Sequence, residues 1–386
     1  MPRFTVICPT YNRGPAIAAT IESVRRQTVR DWELLVVSDA SDDGTDDVVA
    51  RIAARDRRVR LLRTRRFGFQ AGPTNVALSR ARGPIVAYLD HDDRWRPHHL
   101  ATLAAEFDRG AEFVATRVHK VTADGTPVGT AHPLTMLWHP ELQLMNPLFE
   151  NSCAAHLTAL AERVGGWRES EIGLEDWDLW VRLADAGIRC RTTLEVTVDM
   201  LENPGTRQHR LPCRYGHELA RLPDARAARR AYRSLTDTRH REAATRACTA
   251  DLTAWYGGLA RTGELVYPSG WTGGASALPA AIESHLAQVG SVWRNLVLDP
   301  QPDGRVALTI VLGTMTADHA ERYVAVFGRR MPHQQAFFDR VLAGRAAAVP
   351  AAGPGRRAPG RPAGGEMRFP GSVLVGAGPD GTPGGR

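Results

Sequence analysis

Lysine is all but missing from this chain of 386 residues: Lys120 is the single one, so the formal net charge of +7 rests on arginine. The Arg-, Ala- and Gly-heavy balance is that of a GC-rich genome. No stretch approaches the roughly 20 uninterrupted apolar residues that span a bilayer. The start, MPRFTVICPTYNR, runs directly into a strand without a signal-peptide core, and a cytoplasmic protein is expected. The five cysteines, Cys8, Cys153, Cys190, Cys213 and Cys248, lack the short spacings that build zinc sites, which leaves reduced structural thiols. Residues 55–66 are dense in arginine but carry no interleaved aromatics for base stacking, so nucleic acid is not an expected partner. A solvated helix-to-strand connection accounts for that run, with attraction of phosphate or an anionic surface as the alternative. There is no internal repeat.

What the chain does have is a knot of acid. Asp90, Asp92 and Asp93 fall within four residues, directly after the apolar run of residues 85–89. Carboxylates so close repel one another, and a hard divalent cation with oxygen ligands turns the repulsion into coordination. A buried strand delivering such a knot at its carboxyl end suits a metal that holds a diphosphate.

Apolar segments at residues 4–8, 33–37, 59–62, 85–89 and 113–116 alternate with helical segments, which predicts a mostly parallel α/β sheet over the first 120 residues. Ile17, Ile21 and Val24 mark the core stripe of the first helix. Ligands gather at the carboxyl edge of such a sheet, and three polar clusters fall there: residues 9–12, residues 38–45 and the acid knot. Asp124-Gly125 reads as a hairpin turn. Residues 131–170 read as loop-rich, with a helix beginning near Glu175. Two long helices are expected past Pro223, over residues 224–257 and 279–297, with a strand at 306–312. The expected organisation is a catalytic domain over 1–222, a mainly helical region over 223–345 and a disordered Pro/Gly/Ala/Arg-rich tail over 346–386.

Five ordered elements over residues 3–210 resemble the family 2 glycosyltransferases. They are Val6-Ile7-Cys8-Pro9-Thr10-Tyr11-Asn12-Arg13, the segment from Val36 to Thr45, the segment from Leu89 to Trp95 with Pro97 and Leu100, Val164-Gly165-Gly166-Trp167, and Gly173-Leu174-Glu175-Asp176-Trp177-Asp178-Leu179-Trp180. The resemblance implies a GT-A type, Rossmann-like fold, a nucleotide-sugar donor, a divalent metal (Mn2+ or Mg2+) and inversion at the anomeric carbon. It places Pro9, Thr10, Tyr11 and Asn12 around the base or ribose, and Asp39 on the imide edge of uracil or thymine, where an acceptor-only carboxylate suits a ring N–H. Asp90 and Asp92 form its DxD element, Asp90 near the ribose or a metal-bound water and Asp92 on the metal. His209 falls where some members place a histidine near metal and diphosphate. Asp176 is implied as the general base, with Glu175 orienting its loop or an acceptor hydroxyl. Helix capping and dipole stabilisation are the structural alternatives for Asp39 and Asp176.

The chain departs from the family where many relatives carry Ala-Arg-Asn. Here Gly72-Pro73-Thr74-Asn75 keeps the Asn without the Arg, leaving Arg66, Arg80 or Arg82 as substitutes. The Gln-x-x-Arg-Trp element and membrane helices of processive members are missing as well. The implied reaction is transfer of a single sugar, from a UDP-sugar before a dTDP- or GDP-sugar, to a glycan, peptide or small-molecule acceptor. A sugar-phosphate nucleotidyltransferase would need a Gly-rich, basic phosphate loop after the first strand, and Pro9 to Arg13 is no such loop. A non-catalytic nucleotide- or glycan-binding module predicts damage among Asp90, Asp92 and Asp176, and all three acids are present. For residues 223–345 the sequence leaves acceptor binding, peripheral membrane contact and a homo-oligomer open.

Overall fold

A computed structural model describes residues 1–169, 174–202, 215–289, 296–313 and 315–343. In chain order the first unit runs β1 (Phe4–Thr10), α1 (Ile17–Arg25), β2 (Trp32–Asp39), α2 (Thr45–Ala53), β3 (Val59–Thr64), α3 (Ala71–Leu78), β4 (Ile85–Tyr88), β5 (Arg94–Trp95), α4 (His99–Asp108), β6 (Phe113–Val121) and β7 (Pro127–Thr130). It continues with α5 (Pro140–Met145), β8 (Ala154–Leu157), α6 (Thr158–Arg163), α7 (Glu175–Asp185) and β9 (Cys190–Leu201). These strands make one sheet in the order β3-β2-β1-β4-β8-β6-β9-β5, with β7 paired to β6.

Every residue of β1, β2 and β4 is buried, the pattern of parallel strands covered on both faces. The parallel pairs β1 with β2, β1 with β4 and β2 with β3 carry the polar loops after β1, β2 and β4 to one edge. Mixed character enters through β8, which pairs antiparallel to both β4 and β6. The β6–β7 hairpin turns at Gly125, whose φ of 86° is easy only for glycine.

The remainder comprises β10 (Tyr215–Leu222), α8 (Ala225–Thr236), α9 (Thr238–Thr262), α10 (Leu278–Val289), β11 (Leu296–Pro300), β12 (Val306–Gly313), α11 (Ala317–Arg330) and α12 (Pro332–Leu342). Three expectations shift here. The strand at 215–222 belongs to a second antiparallel sheet, β10-β12-β11, so the break between the two sheets lies before Tyr215, not at 222. The helix expected over 224–257 is two helices, because Asp237 stands extended and caps the second by accepting from the His240 amide. Of the helix expected over 279–297, Leu278–Val289 is α10, whereas Leu296 begins a strand. The tail lies outside the described residues.

The long helix α9 is not an appendage. Trp255 and Tyr256 are buried in the same core as β1, β2 and β4, and the Trp255 indole donates to Glu141 at 3.0 Å. A smaller core joins Leu222, Leu308, Phe337 and Phe338 with the alanine face of α8. No helix among the described residues is long and apolar enough to cross a membrane. Cys8, Cys153, Cys190 and Cys248 are buried and unpaired, while Cys213 falls outside the described residues.

Candidate active site

Two elements distant in sequence are bolted together by aromatic side chains, and that junction sets the site. Tyr88 closes β4 immediately before the acid knot. Its hydroxyl meets His156 Nε2 at 2.8 Å and accepts from the Trp167 indole at 3.1 Å. Trp180 of α7 packs 5.8 Å from Tyr88, 5.0 Å from Phe113 and 6.1 Å from Trp167, centroid to centroid. Such pairs contribute about 0.5–1.5 kcal/mol each beyond burial. Trp177, three residues earlier and therefore on the same helix face, is also buried and donates to the Gln143 carbonyl at 2.6 Å. With both indoles turned inward, the first turn of α7 presents Asp176 to the end of β4.

The electrostatics register the meeting. Asp176 has its carboxyl pushed up to about 7, by burial first and then by the charges of Asp90, Glu150 and Glu175, against the Trp177 amide that hydrogen-bonds it at 2.8 Å. Burial raises Asp90 to about 7 as well, with Asp92 and Glu150 adding to it and the amides of Asn151 (2.9 Å) and Gln70 (3.0 Å) opposing. Asp90, Glu150 and Asp176 thus sense one another across three separate segments. Glu150 escaped the sequence reading: it sits in the loop-rich stretch with no motif around it, and only its place beside Asp90 and Asp176 reveals it.

Within the knot the acids divide their work. Asp93 is buried, accepts from Ser152 Oγ at 2.5 Å and from the Leu201 amide at 3.1 Å, and so ties β9 to the end of β4. Ser152 Oγ in turn accepts from the Asp90 amide. Asp92 faces Arg13, whose Nη2 donates to it at 3.0 Å. His91 turns its ring to the Pro9 carbonyl, and its basicity is lowered to about 4 chiefly by burial.

The loops after β1 and β2 interlock. Asn12 donates to Asp42 at 2.7 Å, accepts from the Asp42 amide at 3.0 Å, and its own amide donates to Ser41 Oγ. Pro9 and Thr10 end β1, and the buried Thr10 hydroxyl has no partner. Tyr11 is one of only two large apolar side chains left exposed among the described residues. Asp39, the acid expected at a nucleobase, already accepts from Arg66 and from the amides of Phe67 (2.6 Å) and Gly68 (3.0 Å). Of the three arginines considered for the missing family contact, Arg66 is the one at this edge. The backbone of Arg82 bonds Thr5 and Glu33 near the other end of the strands.

Asn75 is spent elsewhere. Its side-chain amide donates to the Trp167 carbonyl at 2.7 Å and its oxygen accepts from the Trp167 amide at 2.9 Å, so it braces the Gly165-Gly166-Trp167 turn. His209 lies outside the described residues. Glu175 is buried next to Asp176. The arginine run is largely absorbed internally, Arg58, Arg60, Arg63 and Arg66 pairing with Asp56, Glu33, Asp46 and Asp39. Three non-glycine residues take positive φ among those described, Asn12 (47°), Ala40 (57°) and Leu174 (57°). Each stands beside a candidate residue, the distribution expected where strain serves a site.

Among the described residues no three His, Cys, Asp or Glu side chains form a metal cage. A Mg2+- or Mn2+-type site needs none, since one or two carboxylates are completed by substrate phosphates and water. Asp92 and Asp90 meet that requirement, and the surplus negative charge around them favours a cation.

Residues 5–161 match the model of glycosyl transferase family 2. It is 31% identical over 163 residues to TuaG of Bacillus subtilis (strain 168), provisionally named a teichuronic acid biosynthesis glycosyltransferase, covering 42% of this chain and 63% of that protein. It is 42% identical over 96 residues to the Escherichia coli UDP-Glc:alpha-D-GlcNAc-diphosphoundecaprenol beta-1,3-glucosyltransferase WfgD, covering 25% and 37%. The chain therefore spans less than two thirds of the length of these relatives. The solved structure of S. aureus TarS 1-349 in complex with UDP-GlcNAc aligns with a TM-score of 0.45 and 22% identity over 53% of this chain and 60% of that one, too distant a likeness to carry an argument.

Proposed function

We propose that the protein transfers a single sugar from a nucleotide-sugar to an acceptor hydroxyl, with inversion at the anomeric carbon. The observation that carries this reading is the coupling of Asp176 on α7 to Asp90 after β4. An inverting displacement needs one carboxylate to take the acceptor's proton while the diphosphate leaves on the opposite side. Asp176 is the carboxylate assigned to that task, and a proton affinity near neutrality is in keeping with a general base.

UDP is the favoured nucleotide, in line with the UDP-Glc in the name of WfgD. Tyr11 offers a ring face for the base, and Thr10 a hydroxyl still wanting a partner. Asp39 would meet the base edge once the Arg66 guanidinium that covers it is displaced. Asp92 and Asp90 would hold a divalent cation, which stabilises the charge on a departing diphosphate. Arg13, already at Asp92, adds a second positive charge on that side. Glu150 and Glu175, flanking Asp176, keep it basic and are placed to accept from acceptor hydroxyls. Asn75 is read as a brace, not a nucleotide ligand. A lipid-linked glycan is the acceptor class favoured by the relatives' names.

The test is a donor screen reading nucleoside diphosphate release with Mn2+ present. Asp92→Ala should lose donor and metal binding, whereas Asp176→Ala should bind donor and not turn over. An Asp176 variant working at the parental rate overturns the base assignment.

A further inference from the structure

A second cavity, of about 410 Å3, opens where α4, the start of β9 and residues 266–270 meet. It is within the ~300–1,000 Å3 range of small-molecule sites. Glu106 and Arg109 at the end of α4 form one wall, Arg191 and Thr192 of β9 another, and Tyr267 and Ser269 the third. It is remote from the acid knot. Leu201, at the far end of β9, bonds Asp93, and Thr192 is nine residues back along the strand, roughly 30 Å at about 3.3 Å per residue.

Three features of the lining point to a ligand. The Tyr267 hydroxyl is buried and has no hydrogen-bond partner among the described residues, a state that costs free energy unless something polar fills the space beside it. The guanidinium of Arg191 has no acid partner among the described residues. The one carboxylate present, Glu106, is already used: it accepts from Arg109 at 2.9 Å and from Ser269 Oγ at 2.7 Å. The Thr192 hydroxyl is used as well, donating to the Met136 carbonyl, which leaves an uncompensated positive charge and a phenol around a polar hollow with an aromatic wall.

We infer that this cavity binds a sugar bearing an anionic group, the carboxylate or phosphate on Arg191 and a ring hydroxyl on Tyr267. Guanidinium suits both anions through paired N–H donors. A carboxylate makes the ligand a uronic acid unit, and a phosphate makes it a phosphorylated glycan. The inference stands on the cavity alone and does not need the donor reading. Should that reading hold, the distance makes this an anchoring site for a polymer whose other end reaches the acids.

The experiment uses the full chain with UDP and Mn2+ saturating the first site. Glucuronate, glucose 6-phosphate and neutral glucose are titrated separately by calorimetry, against the parent, Arg191→Ala and Tyr267→Phe. At least one anionic sugar should bind the parent in the millimolar range and neutral glucose at least tenfold more weakly. Arg191→Ala, at an exposed position, should weaken the anion tenfold or more, and Tyr267→Phe severalfold with an unchanged melting temperature. Glucuronate binding alone assigns a uronate, and phosphate-sugar binding alone assigns a phosphorylated glycan. No anionic sugar binding at 50-fold above the ~1 mM scale of weak complexes, or binding that Arg191→Ala leaves untouched, would show a cavity holding only water. Loss of UDP release without change in these titrations would sink the transferase reading and spare this one.

Discussion

The guanidinium of Arg66 lies 3.4 Å above the ring of Tyr11 while the same side chain pairs with Asp39. One arginine therefore covers both groups assigned to the nucleobase, the stacking face and the acid. The loop that carries it ends at Gln70, which hydrogen-bonds Asp90, so the base end and the phosphate end of the site share one segment.

A base stacking on Tyr11 must displace this guanidinium, and a cation–π contact is worth about 0.5–2 kcal/mol. Arg66→Ala should tighten UDP binding by about twofold to thirtyfold in calorimetry. Weaker binding would make Arg66 a donor ligand in its own right. Tyr11→Ala should weaken UDP, since base–aromatic stacking contributes about 1–3 kcal/mol.

The proton affinity of Asp176 gives a stability prediction with a definite sign. An unfolded aspartate titrates near 4, and in the fold the carboxyl is raised to about 7. Between those values the native state binds more protons than the unfolded one, so this group's contribution to stability falls as pH rises through the window. Asp176→Asn, which keeps the Trp177 hydrogen bond, should melt higher than the parent at pH 8, with the gain vanishing near pH 4. Equal melting temperatures at pH 8 would mean the carboxyl is not raised. Turnover of the parent should show an acid limb near or below 7, the cation and its bound phosphates shifting it.

Metal removal follows from the same charges. Dialysis against EDTA should abolish diphosphate release and Mn2+ restore it, with Asp92→Asn needing far more metal for the same rate. Full activity after chelation would leave Arg13 as the charge that serves the leaving group.

Asn75 separates brace from ligand. Removing its side chain strips two hydrogen bonds from Trp167, at a cost of about 1–3 kcal/mol. Asn75→Ala should lower the melting temperature by several degrees and leave the donor KM near the parental value. An unchanged melting temperature with a raised KM would return Asn75 to the nucleotide.

The parallel half of the sheet was legible because its strands are buried on both faces and read as unbroken apolar runs, as in Phe4–Thr10 and Trp32–Asp39. Strand β8 was not: Ala154-Ala155-His156-Leu157 has little strand propensity, and only pairing with β4 and β6 makes it one. The split at Asp237 carried a signal, an Asp immediately before the helix Thr238–Thr262, hidden by helical composition on both sides. Asp90, Asp92 and Asp176 could be named from motif alone. Glu150 and the pairing of Arg13 with Asp92 could not, since interactions between residues far apart in the chain leave no local mark, and neither could the use of Asn75 by Trp167.

The central claim is that Asp176 faces the donor-holding acids as the base. It is tested most directly by diphosphate release from a UDP-sugar with Mn2+ and acceptor, comparing parent and Asp176→Asn while UDP-sugar affinity is measured in parallel. General-base catalysis contributes about 10²- to 10⁴-fold, so turnover should fall by that factor at unchanged donor affinity. Parental turnover in Asp176→Asn would contradict the account.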